Sequence, residues 1–126
     1  MRRYSRLEHK DLILWQKAFD LAVAAYGACA ALPRTEAFGL ASQMRRAASS
    51  IPSNIAEGYA RKSPREYLYF LRVARGSTAE LETHLLLAHS VGYISDESIV
   101  TVLQEQTLEV ERILRAVIGA TARRQQ

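Results

Sequence analysis

One spacing constrains this chain more than any other. Tyr67, Leu71, Ala74, Thr78, Leu81, Leu85 and Ala88 recur at alternating steps of four and three residues. Side chains at that spacing share one face of an α-helix, and a sustained seven-residue period favours left-handed supercoiling against neighbouring helices. Leu12, Trp15, Phe19, Ala22, Tyr26 and Cys29 form an earlier helical stripe. Leu40, Met44, Ala47, Ile51, Ile55 and Tyr59 form a second, and Ile99, Leu103, Val110, Ile113 and Val117 a last one. No segment alternates with a period of two, so no strands are expected.

Punctuation between the stripes is equally helical. Leu32-Pro33 closes the first helix, because the residue before proline is pushed out of the α region. Ser63-Pro64-Arg65-Glu66 predicts an N-cap, a proline at the first helical position and a capping-box glutamate. Gly92 predicts a C-terminal stop, and Ser95-Asp96-Glu97 a capped, acidic start for the last helix. Pro52 lies inside the second stripe, where it predicts a kink, with Ser49, Ser50 and Ser53 beside it to satisfy freed backbone groups. The predicted helices run over roughly 11–31, 37–61, 64–91 and 96–122. Short connections make them antiparallel neighbours. The expected fold is all-α: an up-down-up-down four-helix bundle, one domain over 1–126.

No apolar run reaches the roughly 18 residues of a membrane span. The basic opening MRRYSRLEHKD lacks the apolar core of a secretory signal. Cys29 is the one cysteine, which excludes an internal disulfide. A cytoplasmic location is expected. The net charge of +4 is unevenly spread. Residues 45–75 hold Arg45, Arg46, Arg61, Lys62, Arg65, Arg72 and Arg75 against Glu57 and Glu66, and residues 76–111 hold acids and no Lys or Arg. Such a chain can pair with copies of itself or with an anionic ligand.

Signals for chemistry are weak. No Glu-x-x-His ligand motif, nucleophile elbow, Walker loop or dinucleotide fingerprint occurs, so neither a metal nor a cofactor is expected, and no catalytic residue is assigned. Glu80 and His84 share a helix face and predict an ion pair; His89 falls on another face. Cys29 predicts a small buried thiol. Gly76 predicts close helix packing. Gln43, Arg46, Ser50, Asn54 and Glu57 form a polar stripe on the second helix. It is either a solvated face, a ligand site, or a buried network in which Arg46, Asn54 and Glu57 meet Ser77 or Glu80. The third helix also carries Leu68, Tyr69, Phe70, Val73, Leu86, Leu87 and Val91, which fit a wide core face or a subunit interface.

The stretch from Gly39 to Gly58, with Ser49-Ser50-Ile51-Pro52-Ser53-Asn54-Ile55-Ala56-Glu57-Gly58 at its centre, resembles the bacterial family of 23S ribosomal RNA intervening-sequence proteins. The likeness continues through Ser63, Tyr67, Phe70-Leu71, Ala74-Arg75-Gly76-Ser77, Glu80-Leu81 and Gly92-Tyr93-Ile94, and takes in Leu14-Trp15-Gln16-Lys17-Ala18 upstream. The resemblance implies an antiparallel four-helix bundle that assembles into a ring-shaped homopentamer with an axial channel. It also implies kinship with the accessory proteins of diversity-generating retroelements, which bind nucleic acid and a reverse transcriptase through a basic surface. It carries no catalytic residues. By local charge, the candidates for contacting RNA or DNA are Arg45, Arg61, Lys62, Arg65 and Arg72. The expected function is a non-enzymatic oligomeric binding or scaffold protein; the alternative is a protein-only adaptor.

Overall fold

A computed structural model describes residues 8–125, so the basic opening residues lie outside the description. Four helices follow in order: α1 (Ile13–Cys29), α2 (Leu40–Ala60), α3 (Pro64–Ser90) and α4 (Glu97–Arg123). Short 3₁₀ turns at His9–Asp11 and Arg34–Glu36 precede α1 and α2. Each helix packs on two neighbours around a square, and the diagonal pairs make no close backbone approach. This is the antiparallel four-helix bundle expected from the periodicity.

The helix ends follow local chemistry. Ser63 Oγ accepts from the Glu66 N–H at 3.3 Å, with Pro64 opening α3. The reciprocal half of the capping box is absent, because the Glu66 carboxylate turns to Arg61 at 3.5 Å. Past α3, Gly92 has φ +87°. The Tyr93 N–H donates to the Ala88 carbonyl at 2.9 Å and the Gly92 N–H to His89 at 3.0 Å, a Schellman closure. Asp96 caps α4 through the Ser98 N–H at 2.9 Å. At the same end, Glu36 accepts from the Leu40 N–H at 2.9 Å and from the Tyr93 hydroxyl at 3.1 Å, tying the two connecting loops together.

The α3 stripe is buried in full, from Tyr67 to Ala88. The α2 stripe is buried from Leu40 to Ile55, with Tyr59 half-buried at its end. Leu21, Met44, Ile51, Ile55, Leu71, Leu85 and Leu114 form the centre of the core. Thr78, Thr107 and Thr121 enter it because each hydroxyl donates to the carbonyl four residues back, at 2.8, 2.7 and 2.7 Å.

Two stripes need correction. On α1 the core face centres on Leu14, Ala18, Leu21, Ala25 and Ala28; Ala22 and Cys29 of the expected stripe are buried beside it, Leu12 and Trp15 are half-buried, and Phe19 and Tyr26 are 46% and 48% exposed. Both stripes obey the same spacing, and the alanine-rich one lets α1 approach α2 closely. On α4 the buried line is Val100, Leu103, Thr107, Val110, Leu114 and Ile118, with Ile99, Ile113 and Val117 half-buried on its flank. Gly76 is no packing contact either: a Cβ there would meet nothing within 4 Å. The close approach is at Gly58, where a Cβ would stand 2.6 Å from Phe70 Cβ and 3.1 Å from the Tyr67 ring. Of the extra apolar residues on α3, Leu68 joins the core, whereas Tyr69, Leu86, Leu87 and Val91 are exposed. Finally, α2 continues unbroken through Pro52, and the Ser49 hydroxyl donates to the Arg46 carbonyl at 3.3 Å rather than to that of Ala48.

Candidate functional site

Two surfaces stand out once the bundle is closed. The first is an apolar groove of about 530 Å³ between α1 and α2. Its α1 wall takes Trp15, Phe19, Ala22 and Tyr26 from the expected stripe and adds Val23. Its floor is Pro52, with Ser49, Ser53 and Ala56 from the same helix. Trp15 stacks on Phe19 with ring centroids 4.9 Å apart, and His9 sets its ring edge against Trp15 at 5.1 Å. The sequence signal was present as an aromatic line on a helix whose other face was already apolar.

The second surface is the basic end of the bundle. Antiparallel packing brings the C-terminus of α4 beside the α2–α3 turn, so Arg124 lines a cleft with Lys62. Arg61, Lys62 and Arg65 are exposed there. Arg61 is partly neutralised by Glu57 at 2.7 Å and Glu66 at 3.5 Å, and its guanidinium sits 5.2 Å from the Phe70 ring centre. Those carboxylates hold its pKa above the ordinary arginine value. Lys62, at φ +57°, places its ammonium 5.0 Å from the Tyr59 ring centre.

The five candidate cations do not form one patch. Arg61, Lys62 and Arg65 lie together. Arg72 is exposed two turns further along α3. Arg45 belongs near the opposite end, where its guanidinium donates to the Ala37 carbonyl at 3.0 Å. Arg124 was missed, although the basic tail of the sequence was visible; its adjacency comes only from the topology.

The polar stripe of α2 divides similarly. Ser50 Oγ and Ser77 Oγ are 2.8 Å apart, and Asn54 Nδ2 donates to Ser50 Oγ at 2.9 Å and to the Ser50 carbonyl at 2.7 Å. Arg46 is exposed, Glu57 turns to Arg61, and Glu80 pairs with His84 at 3.3 Å, so these three stay outside that cluster. The acids of residues 76–111 are partly used within the chain: Glu111 binds Arg75 at 2.9 Å and Arg115 at 3.1 Å, and Glu109 meets Lys17 at 3.6 Å. Cys29 is buried, with Sγ 3.7 Å from the Ala41 carbonyl; burial pushes its thiol pKa up while nearby Arg45 pulls it down. His89 Nδ1 lies 2.8 Å from the Ile94 carbonyl oxygen. Among the described residues no three His, Cys, Asp or Glu side chains converge on one point. No described helix is long and apolar enough to cross a membrane.

The proline-containing segment that floors the groove lies within a longer match. Residues 10–116 match the 23S rRNA-intervening sequence protein family. The chain belongs to that family. A solved structure described as a protein of unknown function from the S23 ribosomal protein family of Bacteroides thetaiotaomicron shares the fold. It has a TM-score of 0.77 and 23% identity, covering 84% of this chain and 98% of that one. None of the curated proteins matches the sequence significantly. The 23S rRNA-intervening sequence family is not a known enzyme family.

Proposed function

We propose that this member of the intervening-sequence family is a non-enzymatic, cytoplasmic binding or scaffold protein that works as a homo-oligomer and contacts RNA or DNA through the basic end of its bundle. The observation that carries the reading is the convergence of the α2–α3 turn with the α4 terminus. Lys62, Arg65 and Arg124 have no carboxylate partner among the described residues, so their charge is available to phosphates. Contacts of this kind are to the backbone and carry little sequence information.

Assembly draws its support from the apolar groove and the exposed side chains Val102, Leu108 and Leu87 on the far helices. A head-to-tail ring needs two different surfaces on each copy, and a pentamer is the ring that the family resemblance implies. Repetition around a ring makes a weak basic patch multivalent.

Binding of generic RNA and DNA oligomers across a salt series tests the nucleic-acid role. Affinity should fall steeply with salt, with a slope of roughly −0.9 per phosphate neutralised on duplex DNA. Lys62→Glu with Arg65→Glu should remove binding while light scattering still reports an assembly far above the 14.1 kDa monomer. No binding at low salt overturns the nucleic-acid reading. The groove then favours the second reading, a protein-only adaptor.

A further inference from the structure

The cleft between the α2–α3 turn and the end of α4 has a volume of about 250 Å³. Gly58, Tyr59, Lys62, Ser63, Tyr67 and Arg124 contribute to its walls, and no carboxylate does among the described residues. The acids nearest in sequence, Glu57 and Glu66, are both drawn to Arg61. Lys62 and Arg124 therefore line the cleft as two cations with no carboxylate partner among the described residues. The first turn of α3 adds the positive end of a 27-residue helix.

Tyr67 supplies an independent observation. Its side chain is only 9% exposed, held between Gly58 and the Tyr59 ring, whose centroid lies 5.7 Å away at a near-perpendicular angle. Among the described residues its hydroxyl makes no hydrogen bond and is not sealed from solvent, so it is open to a ligand in the cleft that Tyr67 lines, and the Arg124 guanidinium acts on it. Burial pushes the phenol up to about 12, so it is a neutral O–H donor throughout the physiological range.

Lys62, Tyr67 and Arg124 thus bring two cations and a hydroxyl donor to the cleft from three elements. A planar carboxylate has two oxygens in one plane, whereas a phosphate presents oxygens in several directions. A phosphomonoester carries close to two negative charges at pH 7. Two cations match that charge, and the guanidinium fork suits two of its oxygens.

We propose that this cleft is a phosphomonoester site, with Lys62 and Arg124 pairing the dianion, the Tyr67 hydroxyl donating to one of its oxygens, and the α3 N-terminus completing the cradle. The site stands whether or not the protein binds nucleic acid; the terminal phosphate of a strand as its source rests on the nucleic-acid reading above.

Inorganic phosphate and a free nucleoside monophosphate are titrated onto the full chain by amide NMR, and 5′-phosphorylated and 5′-hydroxyl versions of one oligonucleotide are compared by anisotropy. Phosphate or the monophosphate should shift resonances of residues 58–67 and the end of α4. Tyr67→Phe, which keeps the ring, should weaken binding roughly tenfold, and Arg124→Gln should abolish it. Preference for the 5′-phosphorylated strand identifies a strand end as the source. If only the small phosphates bind, the site stands and the nucleic-acid reading falls. If both oligonucleotides bind equally and no small phosphate shifts the cleft, the site is overturned while the nucleic-acid reading survives. Shifts that Tyr67→Phe and Arg124→Gln leave unchanged also overturn it.

Discussion

The hydroxyl oxygens of Ser50 and Ser77 stand 2.8 Å apart where α2 meets α3, and Asn54 binds the same Ser50 oxygen from one turn away. The pair requires both positions to be small and polar. Ser77→Ala removes one bond but leaves Ser50 held by Asn54, so the expected loss is about 1 kcal/mol. Ser77→Leu forces extra atoms into a position that is 9% exposed and should cost about 1–3 kcal/mol. Denaturant unfolding ranks the two variants; equal midpoints would contradict the tight contact.

Gly58 and Gly76 should respond to alanine in opposite directions. The methyl at Gly58 meets Phe70 Cβ at 2.6 Å, so Gly58→Ala should destabilise by about 1–3 kcal/mol. At Gly76 it meets nothing, and alanine gains up to about 1 kcal/mol of helix propensity. Thermal melts of both single variants measure the signs.

Asp96 caps α4, and its bonds from Ser98 hold its carboxyl below the ordinary aspartate pKa. A depressed folded value means that the stabilisation is present above the unfolded pKa and is lost as pH falls through the folded one. Asp96→Asn should therefore lower Tm at neutral pH, and the gap to the parent should close in acid. A gap independent of pH would show that the charge contributes nothing.

Burial should delay ionisation of Tyr67 from the ordinary phenol value to about 12. Its raised folded pKa leaves its contribution whole below the unfolded value of about 10. That contribution is lost as pH rises from there toward 12. An ultraviolet difference titration with Tyr67→Phe as control identifies the step, and alkaline unfolding should be less steep in the variant.

Pro52→Ala returns a backbone donor to α2 and removes the floor of the apolar groove. Helical content by circular dichroism should be kept, while light scattering should show weaker assembly. An unchanged assembly would remove the groove from the subunit interface.

Much of the fold was legible in the residues. The α3 stripe keeps an unbroken seven-residue period over more than three turns, and Tyr67 through Ala88 are buried as spaced, although further apolar residues flank it. Gly92 and Asp96 act through bonds that span a few residues, so their roles were readable locally. On α1 two lines share one period, and periodicity is silent about phase when both faces are apolar. Only packing against α2 and α4 selects Ala18, Ala25 and Ala28 and sends Phe19 and Tyr26 outward. The basic run of residues 45–75 was equally visible, yet its members part because helices run in opposite directions: Arg45 donates to the Ala37 carbonyl near one end, while Lys62 and Arg124 line one cleft at the other. Charge, spacing and capping are properties of neighbours in sequence. The groove, the cleft and the burial of the Tyr67 ring arise from neighbours in space, because which groups become desolvated together depends on how the four helices are packed.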